Sequence, residues 1–128
     1  MNFFEKILSV DDSSTMRKIV QSGVEDMNYG FLEASDGKEA LLVLAKEYTT
    51  IKLILLDWNM PGMNGIEFLT ELRKYNVYKS IPVVMVTTQG EKSNIVKAIQ
   101  AGASNYLLKP FSKDDLMKKI EQCAMKAR

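Results

Sequence analysis

Carboxylates stand directly after two apolar segments of this sequence. The segment KILSV (6–10) leads into Asp11 and Asp12, and the segment IKLILL (51–56) leads into Asp57. The chain after Asp57 reads WNMPGMNG, a composition typical of a tight turn. From this stretch alone, Asp57 could cap the turn, mark the point where a strand meets water, or be a reactive group. The rest of the chain favours the reactive role.

Two further apolar segments end in groups that can contact an anion. The segment PVVMVT (82–87) ends at Thr87, and NYLLK (105–109) ends at Lys109. A threonine hydroxyl can donate a hydrogen bond to an oxygen, and a lysine supplies a mobile positive charge. If the strands concerned are neighbours, these groups converge with the carboxylates on one pocket.

Converging carboxylates repel one another, which raises the pKa of at least one of them unless a cation intervenes. A hard divalent cation such as Mg²⁺ takes oxygen ligands and leaves coordination positions for phosphate. A carboxylate nucleophile, a metal, a lysine and a hydroxyl are the parts of a phosphoryl-transfer site. Each residue alone is weak evidence, but their order at successive segment ends is a strong signal.

The elements that position these residues follow from the apolar pattern. Strands are predicted at 6–10, 31–35, 51–56, 82–87 and 105–109, and each is followed by apolar residues at helical spacing. Apolar residues do not alternate within 51–56 and 82–87, so both faces of these strands should be covered by helices. The sequence therefore predicts one α/β domain over residues 1–128, a doubly wound five-stranded parallel sheet with helices on both faces. Such sheets bind ligands at the carboxyl ends of their strands.

Capping residues predict where the helices begin and end. Gly102 ends the fourth helix, on which Ile95, Val96 and Ile99 recur at helical spacing, and Cys123 is interpreted as a small core residue of the fifth. The predicted start signals are Ser13 or Ser14 for the first helix, Asp36 with Glu39 for the second, Asn64 for the third, and Ser112 with Asp115 for the fifth.

Composition excludes several function classes. The chain has 128 residues and a net charge of +1, which gives no broad attraction to nucleic acid or to an anionic membrane. It contains no histidine, so imidazole bases, histidine metal ligands and serine or cysteine triads are excluded. No signal peptide or membrane span is expected from the N-terminal residues MNFFEKILSV or elsewhere. A single cysteine fits a reducing, cytoplasmic location.

The segments VDDSSTMR, LLDWNMPGMNG, VVMVTT and AGASNYLLKPF, with their spacing, closely resemble the receiver domains of bacterial two-component response regulators. Within that family the chain resembles the single-domain, CheY-like chemotaxis regulators, and the resemblance covers essentially its whole length. It implies a flavodoxin-like sheet with the strand order 2-1-3-4-5 and no output domain after the receiver.

The resemblance also implies roles for the acidic residues. Asp57 would be the phosphoacceptor. Asp12 and Asp57 would hold Mg²⁺ directly, Asp11 would help through a water molecule, and Asn59 would contribute its backbone carbonyl.

The remaining roles implied by the resemblance concern the switch. Thr87 and Lys109 would contact the phosphoryl oxygens, the Lys109–Pro110 bond would be cis, and Tyr106 would change rotamer when Thr87 moves. Thr88 stands where many relatives carry alanine, and its bulk could change the lifetime of the phosphorylated state. The positions that match the family's partner-docking face are Lys92, Ile95, Tyr106 and Lys119.

The implied partners are a histidine kinase as the phosphohistidine donor, a downstream protein such as the flagellar motor switch, and a phosphatase that could end the signal. The protein is expected to be a monomer and a signalling switch rather than an enzyme. A receiver in a phosphorelay or another signalling pathway remains an alternative. A phosphatase with an aspartyl nucleophile is less favoured because its second acid would have to stand at Asn59. A flavin-binding protein is disfavoured because Asp11 and Asp12 would repel a phosphate after the first strand.

Overall fold

The computed structural model of the chain describes residues 2–88 and 92–124. Within these ranges five strands alternate with five α-helices, in agreement with the sequence pattern. The strands are β1 (Asn2–Val10), β2 (Tyr29–Ala34), β3 (Ile51–Asp57), β4 (Val83–Thr87) and β5 (Asn105–Leu108). The helices are α1 (Ser14–Asp26), α2 (Gly37–Glu47), α3 (Gly65–Leu72), α4 (Lys92–Gln100) and α5 (Lys113–Ala124), with a short 3₁₀ helix at Asn76–Tyr78.

The strands form a parallel sheet in the order β2-β1-β3-β4-β5, which confirms the predicted topology. Val10 lies opposite Leu56 in the β1–β3 pair, and Asp57 lies opposite Val86 in the β3–β4 pair. The central position of β3 therefore brings the carboxyl ends of β1 and β4 to either side of Asp57.

The two faces of the sheet each bury a separate hydrophobic cluster. Ile54 and Leu56 of β3 pack with residues of α2 and α3, whereas Leu53 and Leu55 of the same strand pack with residues of α1 and α5. Successive residues of a strand point to opposite faces, so a strand covered on both sides must be apolar throughout. This packing explains the unbroken apolar run of the central strand and confirms that helices cover both faces.

The helices begin where the capping residues predict. Ser13, rather than Ser14, caps α1 by accepting a hydrogen bond from the Met16 N–H at 3.1 Å. The side chain of Asp36 accepts from the Glu39 N–H at 2.8 Å. Reciprocal side-chain and backbone bonds are present between Asn64 and Glu67 before α3 and between Ser112 and Asp115 before α5.

The element boundaries and one helix face differ from the sequence prediction. β1 begins at Asn2 and β2 at Tyr29, earlier than predicted, and β5 ends one residue before Lys109. On α4, Ala98 is buried, whereas Val96 and Ile99 are 42% and 47% exposed. The helix covers the edge of the sheet beside the four-residue strand β5, so much of its apolar surface has no strand beneath it.

Candidate functional site

The acidic residues at the ends of β1 and β3 are brought together by the sheet. Asp11 and Asp57 are 3% and 5% exposed, while Asp12 lies at the surface. One carboxylate oxygen from each of the three lies within 4.8 Å of the others. We refer to Asp11, Asp12 and Asp57 as the acid cluster.

Backbone hydrogen bonds hold the acid cluster in place. The Asp11 N–H donates to the Ala34 carbonyl at 3.0 Å, so β1 stays paired with β2 up to the acid. The Asp11 Oδ1 atom accepts a hydrogen bond from the Ser13 N–H at 2.9 Å. Beside Asp57, the Trp58 N–H donates to the Val86 carbonyl at 3.1 Å. Asp57 is therefore the last residue of β3, and Asp11, directly after β1, is held by hydrogen bonds to Ala34 and Ser13.

The ammonium of Lys109 lies between the two buried carboxylates. Its Nζ atom is 3.1 Å from Asp57 Oδ1 and 3.4 Å from Asp11 Oδ2. The Lys109 N–H donates to the Thr87 carbonyl at 2.8 Å, and the bond from Lys109 to Pro110 is cis, as the family resemblance implied. A single ammonium cannot neutralise three carboxylates, so the acid cluster keeps an excess of negative charge.

Burial raises the pKa of the Asp57 carboxyl, and the nearby Asp11 carboxylate raises it further. The hydrogen bond and the charge of Lys109, with a hydrogen bond from the Asn59 backbone N–H, oppose this rise without cancelling it. Ionised Asp57 is therefore destabilised in the protein as it stands. A divalent cation beside it would remove that cost, and the carboxylate oxygens present are the ligands that Mg²⁺ prefers.

Thr87 and Thr88 complete this end of the sheet in different ways. Thr87, the last residue of β4, is 2% exposed. Thr88 follows it at the surface. The structure thus brings Thr87 and Lys109 to the same edge as the acid cluster, with Thr88 at the exposed rim.

Gly65 is a site residue that the sequence pattern identified only as part of a turn. Its N–H donates to the Trp58 carbonyl at 2.8 Å, and α3 begins there. A Cβ atom at this position would lie 2.4 Å from the Asp57 carbonyl oxygen and 3.0 Å from the Trp58 Cα. The close approach of α3 to the end of β3 therefore requires glycine. A glycine directly after the helix cap Asn64 is the sequence signal for this contact.

The predicted docking positions lie along α4, β5 and α5, which we call the α4–β5–α5 face. The half-buried ring of Tyr106 has the Lys119 Nζ atom 5.2 Å from its centroid, and that ammonium also donates to Asn105 Oδ1 at 3.0 Å. Ile95 is half-buried and Lys92 is exposed at the start of α4. Leu108, which was not among the predicted docking positions, is 40% exposed and adds apolar surface beside Tyr106.

Comparison with known proteins shows which family the chain belongs to. The chain matches the family described as the response regulator receiver domain over residues 7–121. The chain belongs to this family. The prediction of a two-component receiver domain is thereby confirmed.

Individual relatives are similar over most of their length. The chain is 43% identical to the chemotaxis protein CheY1 of Helicobacter pylori strain J99 over 117 residues, which is 91% of this chain and 94% of that protein. It is 41% identical to the chemotaxis protein CheY-3 of Vibrio cholerae over 118 residues, 91% of this chain and 89% of that protein. The solved structure of the chemotaxis response regulator CheY4 of Vibrio cholerae has a TM-score of 0.87 and 34% identity, covering 93% of this chain and 98% of that one.

Within residues 2–88 and 92–124, no helix is long and apolar enough to cross a bilayer.

Proposed function

We propose that the protein is a phosphoacceptor switch in which Asp57 takes a phosphoryl group from a phosphohistidine on a partner histidine kinase. The observation that carries the proposal is the arrangement around Asp57. This carboxylate is nearly buried, lies 3.1 Å from the Lys109 ammonium, and belongs to an acid cluster whose third member, Asp12, reaches the surface. A donor can approach from the side of Asp12.

In the proposed reaction, one carboxylate oxygen of Asp57 attacks the phosphorus atom and forms a P–O bond. The P–N bond to the kinase imidazole breaks, its electron pair stays on the imidazole nitrogen, and that nitrogen is reprotonated from solvent. Lys109 and the Thr87 hydroxyl contact the phosphoryl oxygens and stabilise the charge that they carry.

The donor set fits Mg²⁺ at this site. Asp12 and Asp57 would hold the ion directly, with the Asn59 carbonyl as a further ligand and Asp11 acting through water. When bound, the ion would neutralise negative charge shared between the carboxylates and the phosphoryl group.

This activity is that of a signalling switch, which assists only its own phosphorylation and dephosphorylation. A dedicated phosphatase with an aspartyl nucleophile would use an acid two residues later, and Asn59 cannot supply that proton. The exposed Thr88 borders the path of donor and water, so we propose that it influences how long the phosphoryl group stays on Asp57.

We propose that residues 1–128 act as one receiver domain in a cytoplasmic chemotaxis pathway, with the flagellar motor switch as the downstream target. The names of the chemotaxis relatives support this pathway. The alternative is a receiver that passes or receives a signal in a phosphorelay. In either pathway, a phosphatase could end the signal.

The switch would connect Asp57 to the α4–β5–α5 face. A phosphoryl oxygen is an ionised acceptor, so it binds the Thr87 hydroxyl more strongly than a neutral acceptor does. Movement of Thr87 toward it would leave space that the Tyr106 ring can occupy. The face combines apolar residues with the cations of Lys92 and Lys119, which suits a partly acidic helix or peptide.

Phosphorylation can be tested with a small acyl phosphate in place of the kinase. With Mg²⁺ present, we expect intact-mass analysis to show one added phosphoryl group in the wild-type protein and none in Asp57→Asn. Peptide mapping should place the modification at Asp57. Full labelling of Asp57→Asn would contradict the assignment of the phosphoacceptor.

The pathway can be tested by affinity capture from the source organism with Mg²⁺ and beryllofluoride, which mimics the phosphoryl group on an aspartate. We expect a motor-switch component to bind more strongly with beryllofluoride, by a coupling of roughly 1–3 kcal/mol. Thr87→Ala should still be labelled at Asp57 but should lose much of this gain. Capture of a phosphotransfer protein in its place would favour the phosphorelay.

A further inference from the structure

The side chain of Arg17 connects three elements beside the acid cluster. Its Nη1 atom donates a hydrogen bond of 2.6 Å to the backbone carbonyl of Asp11. Its Nε atom donates a second bond of 2.6 Å to Glu33 Oε1. Arg17 lies in the first turn of α1, Asp11 follows β1, and Glu33 belongs to β2. The arginine therefore bridges the start of a helix and two strands at the edge of the site.

The bond to Asp11 fixes one particular peptide unit. The Asp11 carbonyl belongs to the peptide that joins Asp11 to Asp12. The Asp11 N–H is already bonded to the Ala34 carbonyl, and the Asp11 side chain to the Ser13 N–H. Because a peptide unit is planar, holding its carbonyl also sets the direction in which the chain enters Asp12. The Asp12 carboxylate is exposed, so its position depends strongly on its own backbone.

An arginine suits this role better than a lysine. The planar guanidinium presents several N–H donors in a rigid fork and can hold two acceptors at once. Its charge strengthens both hydrogen bonds. Glu33 is 51% exposed, so its ion pair with Arg17 contributes little to stability by itself. The main effect of this ion pair is instead to orient the guanidinium of Arg17.

We infer that Arg17, oriented by Glu33, is a positioning residue that presents the carboxylates of Asp11 and Asp12 for Mg²⁺ binding. The inference rests on the proposed function, in which this cluster binds Mg²⁺. Groups that hold metal ligands in place commonly govern metal affinity without touching the ion. No part of this role requires Arg17 to contact the phosphoryl group.

The direction in which Mg²⁺ affinity changes when Arg17 is replaced distinguishes this role from a purely electrostatic one. The positive charge of Arg17 repels a cation, so removing the charge would strengthen Mg²⁺ binding if charge alone mattered. If Arg17 positions the acids, removing it weakens Mg²⁺ binding in spite of the more favourable charge.

The experiment is a Mg²⁺ titration followed by the fluorescence of Trp58, with the Mg²⁺-dependent rise of the urea midpoint as a second readout. For Arg17→Gln and Arg17→Lys we expect binding roughly tenfold weaker than in the wild type. Lysine keeps the charge but cannot hold both acceptors, so it should not restore binding. Glu33→Gln keeps an acceptor for Nε, and we expect a smaller loss of about twofold to threefold, the scale of an exposed ion pair.

A matched control is available on β1, the strand that leads to Asp11. Lys6 on β1 forms an ion pair of 2.9 Å with Glu47, far from the acid cluster. Lys6→Gln removes an ion pair without disturbing the Asp11–Asp12 peptide, so it should bind Mg²⁺ as the wild type does.

Three results would overturn the inference: tighter binding by Arg17→Gln, equal binding by all variants, or a lower urea midpoint with an unchanged Mg²⁺ dissociation constant. The last would mean that Arg17 only stabilises the fold. Should Arg17→Gln fail to fold, Glu33→Gln decides, and an unchanged dissociation constant in that variant overturns the inference. A wild-type protein that neither binds Mg²⁺ nor is labelled at Asp57 would overturn the proposed function as well.

Discussion

The two ends of the sheet hold charged groups in opposite ways. At the carboxyl ends of β1, β3 and β5 lies the acid cluster, and two of its members, Asp11 and Asp57, share the ammonium of Lys109. At the amino ends of β4 and β5, the guanidinium of Arg73 donates hydrogen bonds to backbone carbonyls. The acceptors include Tyr78 at 3.2 Å, Ile81 at 3.0 Å and Gly102 at 2.8 Å.

The difference separates a contact that stabilises the fold from a site that, on our proposal, binds a ligand. Arg73 is matched by neutral acceptors that have no other charge to balance, and burial lowers its pKa only as a cost of desolvation. At the acid cluster, burial and Asp11 raise the pKa of Asp57 in spite of Lys109. The charge of Arg73 is therefore satisfied within the folded protein. The charge of the acid cluster, on our proposal, is balanced by Mg²⁺, which also allows a phosphoryl group to bind.

The largest effect on stability is expected from removing the Arg73 guanidinium at the amino ends of β4 and β5. Arg73→Met keeps the aliphatic volume but leaves the carbonyls of Ile81 and Gly102 without their donor. These carbonyls are partly buried, and leaving two of them without a donor is costly, so we expect a loss of about 2–4 kcal/mol in the free energy of unfolding. Urea denaturation checks this. Mg²⁺ binding should not change, because the acid cluster lies at the opposite end of the sheet.

The neighbouring Lys74 provides the control for Arg73. It forms an exposed ion pair of 3.2 Å with Glu71 one turn away, so Lys74→Gln should change the free energy of unfolding by less than about 0.5 kcal/mol. Equal effects of the two substitutions would contradict the view that Arg73 holds the amino ends of the strands together.

A smaller but still destabilising effect is expected from Gly65→Ala at the site. The new Cβ would meet the Asp57 carbonyl at 2.4 Å, and neither backbone segment can give way cheaply. Overpacking of this kind costs about 1–3 kcal/mol, and labelling of Asp57 should also slow because its backbone is displaced. The control is Gly37→Ala, whose Cβ would be 3.1 Å from the side chain of Phe68 and meets no backbone atom as closely. A urea midpoint lowered equally by both variants would argue against a special role for Gly65.

The third substitution, Asp57→Asn, is expected to stabilise the protein when Mg²⁺ is removed by a chelator. Because the pKa of Asp57 is raised in the folded state, the proton binds the folded protein more tightly than the unfolded chain. The stability that depends on this proton is present below the ordinary carboxyl pKa and is lost as the pH rises through the raised one. The gain from Asp57→Asn should therefore be largest near neutral pH, roughly 1 kcal/mol, the common scale of such trade-offs at functional sites.

Urea denaturation across the acid range checks that pH dependence. The difference in unfolding free energy between Asp57→Asn and the wild type should shrink as the pH falls toward about 4, the ordinary value for an aspartate. A difference that grows on acidification would show that Asp57 is stabilised, not destabilised, by its surroundings.

Much of the fold could be predicted from the sequence because its local signals agree with the final packing. The unbroken apolar run 51–56 reflects a strand buried on both faces, and the caps Asp36 and Asn64 mark helix starts that the structure reproduces. The order of the strands came from the family resemblance, since apolar periodicity does not indicate which strands are neighbours. The exposure of Val96 and Ile99 could not be predicted, because helical spacing does not indicate how much of the sheet a helix covers.

The proximity of charged side chains at the strand ends could also be predicted. Asp57 and Lys109 could be named because parallel strands place their carboxyl ends along one edge. Arg17, Gly65 and Arg73 were missed for a shared reason. Each contacts backbone atoms of another segment, and because every residue carries such atoms, the sequence does not indicate these contacts.

The most direct test of the central claim, that the acid cluster carries unbalanced charge for a cation to neutralise, is the urea midpoint of the wild type and of Asp57→Asn near neutral pH. Each protein is measured in chelator and again with Mg²⁺. We expect Asp57→Asn to be the more stable protein in chelator, and we expect Mg²⁺ to raise the wild-type midpoint and narrow or reverse the difference. A wild type that is more stable than Asp57→Asn in chelator, or that does not respond to Mg²⁺, would contradict the claim.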